Sequence, residues 1–161
     1  MIVGVLSDTH GELHPRVVPL FREAGVELIL HAGDVGAYGV IEQLSGLAPV
    51  SAVAGNVDVE GEVALLPKEL SLQLEGLSVY MTHIGGKPGS WLPRLPRPLP
   101  GVAICGHSHI PLLERVGGTL FLNPGAAGTR PRFKIPLSAA LLRLGGGRAE
   151  AELIPLQEAE R

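Results

Sequence analysis

A chain of 161 residues with one cysteine, Cys105, can form no internal disulfide. Its expected setting is a reducing one, the cytoplasm. No apolar run approaches the roughly 20 residues of a membrane span, so no membrane partner is expected. The first residues, Met1-Ile2-Val3-Gly4-Val5-Leu6, lack the basic region and cleavage site of a signal peptide. Positive charge is not in excess either: 13 Lys and Arg face 16 Asp and Glu, for a net charge of −3. A broad basic face for nucleic acid is therefore not expected. The sign does not exclude a phosphoester substrate, because bound cations reverse the local field. The chain shows no internal repeat and no linker, and its length predicts one domain, 1–161, large enough to bury a core. Glycine and proline are plentiful, 22 and 14 residues. Spaced between regular apolar runs, they indicate tight turns rather than disorder.

Apolar periodicity lays out the elements. Ile2 to Leu6 reads as a buried strand. His14 to Ala24 reads as a helix that stops at Gly25, with Pro19 placed to kink it or end it early. Glu27 to His31 is a second strand, Tyr38 to Leu44 a short amphipathic helix, and Val50 to Ala54 a third strand. This strand–helix alternation predicts parallel strands joined by right-handed crossovers. Hairpins follow: Glu69–Leu74 with Leu77–Thr82, Leu112–Val116 with Thr119–Leu122 across Gly117-Gly118, and Leu137–Leu144 with Arg148–Ile154 across three glycines. Val102 to Cys105 is a further strand. The expected fold class is mixed α/β, with two sheets packed face to face and helices outside. The segment from Trp91 to Pro100 is too rich in proline for an ordinary helix. It reads as an extended connector. Its sharper alternative is a rim over a site, where Arg94 and Arg97 meet substrate phosphate.

Most of these runs end in chemistry. Asp8-Thr9-His10, Gly33-Asp34, Gly55-Asn56-Val57-Asp58, His83 and Gly106-His107-Ser108-His109 each follow a predicted strand. Asp8 and His10, like His107 and His109, are two residues apart, and in an extended segment such pairs point to one side. Each cluster alone is weak, since Gly-Asp is also a turn pair and His-x-His can be two surface histidines. Together they place Asp8, His10, Asp34, Asn56, His83, His107 and His109 at strand ends, a set that suits two divalent cations. Asp34, after a tight glycine, is the choice for a carboxylate shared between them. His31 is assigned to holding the Asp34 loop, Asp58 to orienting a ligand histidine, and Cys105 to the core rather than to nucleophilic work.

The order Asp-x-His, Gly-Asp, Gly-Asn-x-Asp, His, Gly-His-x-His resembles the calcineurin-like metallophosphoesterases, and among them the small single-domain bacterial and archaeal phosphodiesterases. Asn123-Pro124-Gly125-Ala126 resembles the Asn-Pro-Gly-Ser segment of that family. The resemblance implies a four-layer αββα sandwich. It implies that Asp8, His10, Asp34 and His109 hold one metal and that Asp34, Asn56, His83 and His107 hold the other, with Asn56 also touching a phosphate oxygen. Two departures stand out. Val57 occupies the position where many relatives carry a histidine that suits protonation of the leaving group. Ile84-Gly85-Gly86 follows His83, where relatives often carry a second histidine.

The reaction these residues imply is hydrolysis of a phosphodiester by a hydroxide bridging the two cations, with Asp34, Asn56 and His83 central to it. Mixed imidazole, carboxylate and amide donors suit Mn²⁺ first, then Fe²⁺, Zn²⁺, Ni²⁺ or Co²⁺, ahead of Mg²⁺ or Ca²⁺. The expected partner is a small phosphoester, with a homodimer or higher homo-oligomer left open. The rival readings are a protein-interaction scaffold of the same fold, like a subunit of the eukaryotic retromer coat, and a metal-dependent nuclease or phosphomonoesterase. Ligand completeness favours the enzyme over the scaffold.

Overall fold

A computed structural model describes residues 1–157. In chain order its elements are β1 (Ile2–Leu6), α1 (Val17–Ala24), β2 (Leu28–His31), α2 (Tyr38–Ser45) and β3 (Val50–Ala52), then a 3-10 turn over Glu62–Leu65. Next come β4 (Glu69–Leu74), β5 (Leu77–Thr82), α3 (Pro88–Trp91) and a 3-10 turn over Leu92–Arg94. The chain continues through β6 (Val102–Ile104), β7 (Leu112–Val116), β8 (Thr119–Asn123), β9 (Ser138–Gly145) and β10 (Arg148–Pro155). One sheet has the order β10-β9-β1-β2-β3 and the other β4-β5-β6-β8-β7. β1, β2 and β3 run parallel, as the strand–helix alternation predicts, and β9 lies antiparallel to β1. In the second sheet β5, β6 and β8 are parallel and are flanked by the antiparallel hairpin partners β4 and β7.

The sheets pack through one apolar layer. Val3 and Val5 of β1 meet Leu30, Met81, Ile104, Leu122 and Leu142 there. Leu6 turns to the other face, where Phe21 of α1 and Leu44 of α2 cover the sheet. A strand buried on both faces needs apolar residues throughout, which is why β1 reads as an unbroken run. At the edge, β4 alternates, with Leu70, Leu72 and Leu74 turned inward. Outside the second sheet, Trp91 and Leu95 pack on Ala103, Cys105 and Phe121. The fourth layer is therefore slim: one turn of α3, a 3-10 turn and the proline-rich segment.

Three local features refine the sequence reading. α1 starts at Val17 rather than His14. Pro19 thus falls in the first helical turn, where its missing N–H has no intrahelical partner to lose, so it need not break the helix. The hairpin turns Glu75-Gly76, Gly117-Gly118 and Gly146-Gly147 all have positive φ at both residues, the geometry of two-residue turns that match strand twist. Gly145 pairs with Arg148, so only two of the three glycines form the last turn. Finally, the stretch after His83 is not extended throughout: Pro88 opens α3, and Pro93 sits in the 3-10 turn that follows.

Gly4 lets Phe21 of α1 pack closely on β1. A Cβ built there would lie 2.6 Å from the Phe21 ring. Gly4→Ala is expected to destabilise by about 1–3 kcal/mol through overpacking, and Phe21→Leu to relieve much of that. Urea unfolding of both single variants and the double variant measures the coupling. Strict additivity would show that the ring does not need the missing methyl.

Candidate metal centre

Each predicted ligand lies beyond the C-terminal end of a parallel strand. Asp8 and His10 follow β1, Asp34 follows β2, Asn56 follows β3, His83 follows β5, and His107 and His109 follow β6. The backbone reason for their convergence is not strand alternation. Asp8, His10, Asp34, His107 and His109 all have positive φ, between 49° and 73°. Asp and His are among the non-glycine residues that enter this left-handed region most readily, though at a cost. The bends are tied down by cross-loop bonds: Asp8 N–H to Gly33 O at 2.9 Å, His10 N–H to Asp34 O at 3.0 Å and Gly11 N–H to Val35 O at 2.8 Å.

The bends bring donor atoms into two triads, Asp8-His10-His109 and Asp34-His83-His107, each with its donors within 4.8 Å of one another. The triads adjoin. Asp34 Oδ2 lies 3.6 Å from His10 Nε2 and 3.3 Å from His83 Nε2, and so reaches both sets. Asp8 Oδ1 lies 3.4 Å from His109 Nε2 and 3.9 Å from both His10 Nε2 and His83 Nε2. His10 Nε2 and His109 Nε2 are 3.4 Å apart.

The hydrogen bonds around the triads leave the right atoms free. His83 Nδ1–H donates to Ala32 O at 2.8 Å, which in the neutral ring leaves the Nε2 lone pair facing the carboxylates. Asp8 Oδ2 accepts the His107 backbone N–H at 3.0 Å, and Asp34 Oδ1 accepts that of Val57 at 3.1 Å. Each carboxylate is thus held by one oxygen and points the other inward. Asp8 Oδ1, His83 Nε2 and His109 Nδ1 are buried without hydrogen-bond partners. Buried lone pairs left bare are costly, and cations would satisfy those that face the centre, so the donor set fits divalent metals. Burial favours a protonated Asp34, but the facing His83 imidazole and the Val57 N–H outweigh it and hold the carboxyl well below its usual range. Burial lowers His83, yet the facing carboxylate of Asp34, the bond to Ala32 and the charge of Asp8 raise it on balance. Burial lowers His10, which its neighbouring carboxylates only partly oppose.

Three side chains hold the loops. His31 Nδ1 accepts the Gly33 N–H at 3.1 Å, and its Nε2–H donates to Thr9 Oγ1 at 3.1 Å. Thr9 passes its own proton to Val35 O at 2.9 Å, so the chain of bonds selects one neutral tautomer. Asp58 does not orient a histidine, contrary to the sequence expectation. Its carboxylate accepts three backbone N–H groups, from Val35, Gly36 and Gly55 at 3.1, 2.9 and 2.8 Å. It therefore ties the loop carrying Asp34 to the loop carrying Asn56. Asn123 donates to Gly106 O at 3.0 Å and Ser108 Oγ at 3.1 Å, and accepts from Gly125 N–H at 3.0 Å. That braces the histidine loop after β6.

Around the triads the surface is uneven. Asn56 is exposed and lines an open groove with His83 and Ile84. On the side of His10 and His109 lies a polar cleft of 350 Å³ with Arg130, Arg132 and Thr129 in its wall. Arg94 and Arg97 line none of the cavities that contain the candidate ligands. Arg94 donates instead to Gly85 O at 2.6 Å and Ser90 O at 3.2 Å, bracing its own segment. Sequence reading missed Arg130 and Arg132, whose only signal is two basic residues flanking Pro131. Cys105 is buried under Trp91 and Phe121, and burial pushes its thiol up to about 11, which suits packing rather than attack.

Residues 1–147 match the calcineurin-like phosphoesterase superfamily domain. The chain is a calcineurin-like phosphoesterase. A probable metallophosphoesterase of Methanothermobacter thermautotrophicus is 35% identical over 96% of this chain and 92% of its own length. The phosphodiesterase YfcE of Escherichia coli is 31% identical over 84% of each. A single mutant of Vps29 from Entamoeba histolytica superposes on the phosphoesterase with a TM-score of 0.79 at 21% identity, covering 96% of this chain and 99% of that one. At that identity the likeness is one of fold. Among the described residues no helix of the phosphoesterase is long and apolar enough to cross a membrane.

His31 gives the phosphoesterase an acid-sensitive support. Burial pushes its pKa down to about 4 from 6.5. Above 6.5 the ring is neutral folded or unfolded, and His31 adds no pH dependence. As pH falls from 6.5 toward 4 only the unfolded chain takes the proton, so stability drops by about 3 kcal/mol across that window. His31→Gln is expected to flatten this part of the stability–pH curve. Urea unfolding of both proteins in chelator, at about pH 7 and about pH 5, tests it. Parallel losses would show that His31 carries none of the acid sensitivity.

Proposed function

We propose that this phosphoesterase hydrolyses phosphodiesters at a centre of two divalent cations. The observation that carries the reading is the pair of adjoining triads, with lone pairs of Asp8, Asp34 and His83 turned inward and no protein hydrogen bond to satisfy Asp8 Oδ1 or His83 Nε2. Asp8, His10 and His109 would hold one cation, and Asn56, His83 and His107 the other. Asp34 would be shared, since its Oδ2 reaches His10 and His83 alike. Bound there, the cations would supply Lewis acidity and acidify the attacking water. Mn²⁺ is the first choice, with Fe²⁺, Zn²⁺, Ni²⁺ and Co²⁺ also suited to these donors. We read residues 1–161 as one domain, because the two sheets share a core. We place the protein in the cytoplasm, acting on a small phosphoester.

The chain's own residues divide the remaining work. Asn56 extends its carboxamide at the rim of the groove to a phosphate oxygen. Arg130 and Arg132 face the opposite side of the centre and attract the substrate's negative charge. Val57 presents no proton to a leaving alcohol: its side chain is 44% exposed and its backbone N–H is engaged by Asp34. Substrates with good leaving groups, or protonation from solvent, follow from that. Ligand completeness disfavours the scaffold reading, because an interaction surface needs no inward lone pairs.

Bis(p-nitrophenyl) phosphate should be hydrolysed with Mn²⁺ present, stop on chelation and resume on Mn²⁺ addition. Metal analysis should return two cations per chain. Asp34→Ala, His83→Ala and Asn56→Ala should each lower kcat by about 10²–10³-fold. Equal rates for the wild type and His83→Ala would overturn the enzyme reading and leave the scaffold in its place.

A further inference from the structure

Beside the second triad, opposite in character to the arginine cleft, the chain holds a partly open apolar cavity of 190 Å³ that His107 helps to line. Trp91 and Phe121 stand edge to face in its wall, with ring centroids 5.7 Å apart. Ile84 and Ile110 line it too, and they are 54% and 56% exposed. These isoleucines directly follow the candidate ligands His83 and His109. Single exposed apolar residues need no explanation, but two that line one cavity next to reactive donors do. Lys87 is the one Lys, Arg, Asp or Glu side chain in the lining among the described residues.

The shape of this wall depends on a missing side chain. A Cβ on Gly85 would lie 2.7 Å from the Trp91 ring. Any other residue there would push the indole away and change the cavity. Gly85 thus lets the backbone after His83 pack directly on the Trp91 ring, which is 3% exposed and forms the floor of the cavity. An apolar cavity of about 150 Å³ is known to accept a benzene-sized guest, so this one accommodates one ring.

We propose that the cavity is a specificity subsite for a planar, ring-sized apolar group esterified to the substrate phosphate. The inference rests on the phosphoesterase reading of the adjoining centre and names the class of alcohol it selects. The ring would lie between Ile84 and Ile110, over the buried Trp91 and Phe121 at the floor, its phosphate at His107 and the candidate cations, and Lys87 would meet the remaining negative charge.

Phosphonates with a single organic group test this without ambiguity of orientation. In Mn²⁺-loaded protein, phenylphosphonate should bind at least about tenfold more tightly than methylphosphonate, the gain expected from burying one ring. Trp91 is the sole tryptophan, so its fluorescence should respond to the phenyl compound at the same concentrations. In Ile84→Asn and Ile110→Asn, which add no charge beside the centre, the two phosphonates should bind alike. Both sites are exposed enough for the variants to fold. Methylphosphonate binding with no phenyl preference, or a preference that leaves Trp91 emission unchanged, would overturn the subsite alone. Failure to bind either compound, together with no hydrolysis of bis(p-nitrophenyl) phosphate, would instead overturn the phosphodiesterase reading beneath it.

Discussion

Two carboxylates and four imidazoles meet here at the edge of a packed core with too few protons between them. Asp8 Oδ1 and Asp34 Oδ2 both lie within 3.9 Å of His10 Nε2 and of His83 Nε2. The His83 ring commits its Nδ1–H elsewhere, to Ala32. Like charges and lone pairs so close repel one another when water is excluded. The rest of the local structure works against that repulsion: one oxygen of each carboxylate is pinned by a backbone N–H from another loop, and the bends that carry the ligands are bonded crosswise.

The backbone shows the same opposition. Five residues in left-handed conformations each cost about 1–3 kcal/mol, and a free loop would relax out of them. They persist because Asp58, His31 with Thr9, and Asn123 hold the loop backbones through hydrogen bonds within and between the loops. Asp58 alone accepts three N–H groups from two loops. The apolar layers beneath fix the strands from which these loops spring, so the core sets where the ligands of the centre stand.

Much of this was legible in the chain. The β-branched runs, the hairpin glycines and the residue types at strand ends marked both the sheets and the candidate ligands, because burial on two faces and tight turns leave strong local signals. Other features left none. Asp58 reads as a possible partner for a histidine until the fold shows three N–H groups from two loops around it. Arg94 and Arg97 lie near His83 in sequence, yet Arg94 serves its own segment. Arg130 and Arg132 reach the centre from a loop over a hundred residues after Asp8. Such relations come from tertiary packing, and no spacing rule contains them. The left-handed bends are intermediate: Asp and His tolerate them, but tolerance does not predict use.

Each triad takes its donors from both sheets. Asp8 and His10 follow β1 and meet His109 beyond β6, while Asp34 follows β2 and meets His83 and His107 beyond β5 and β6. Neither half of the chain can form a triad alone. A cation held here would therefore act as a rivet across the seam, giving its binding energy to the docking of one sheet on the other. Removing such a cation would cost stability at the junction of the two sheets rather than within either one.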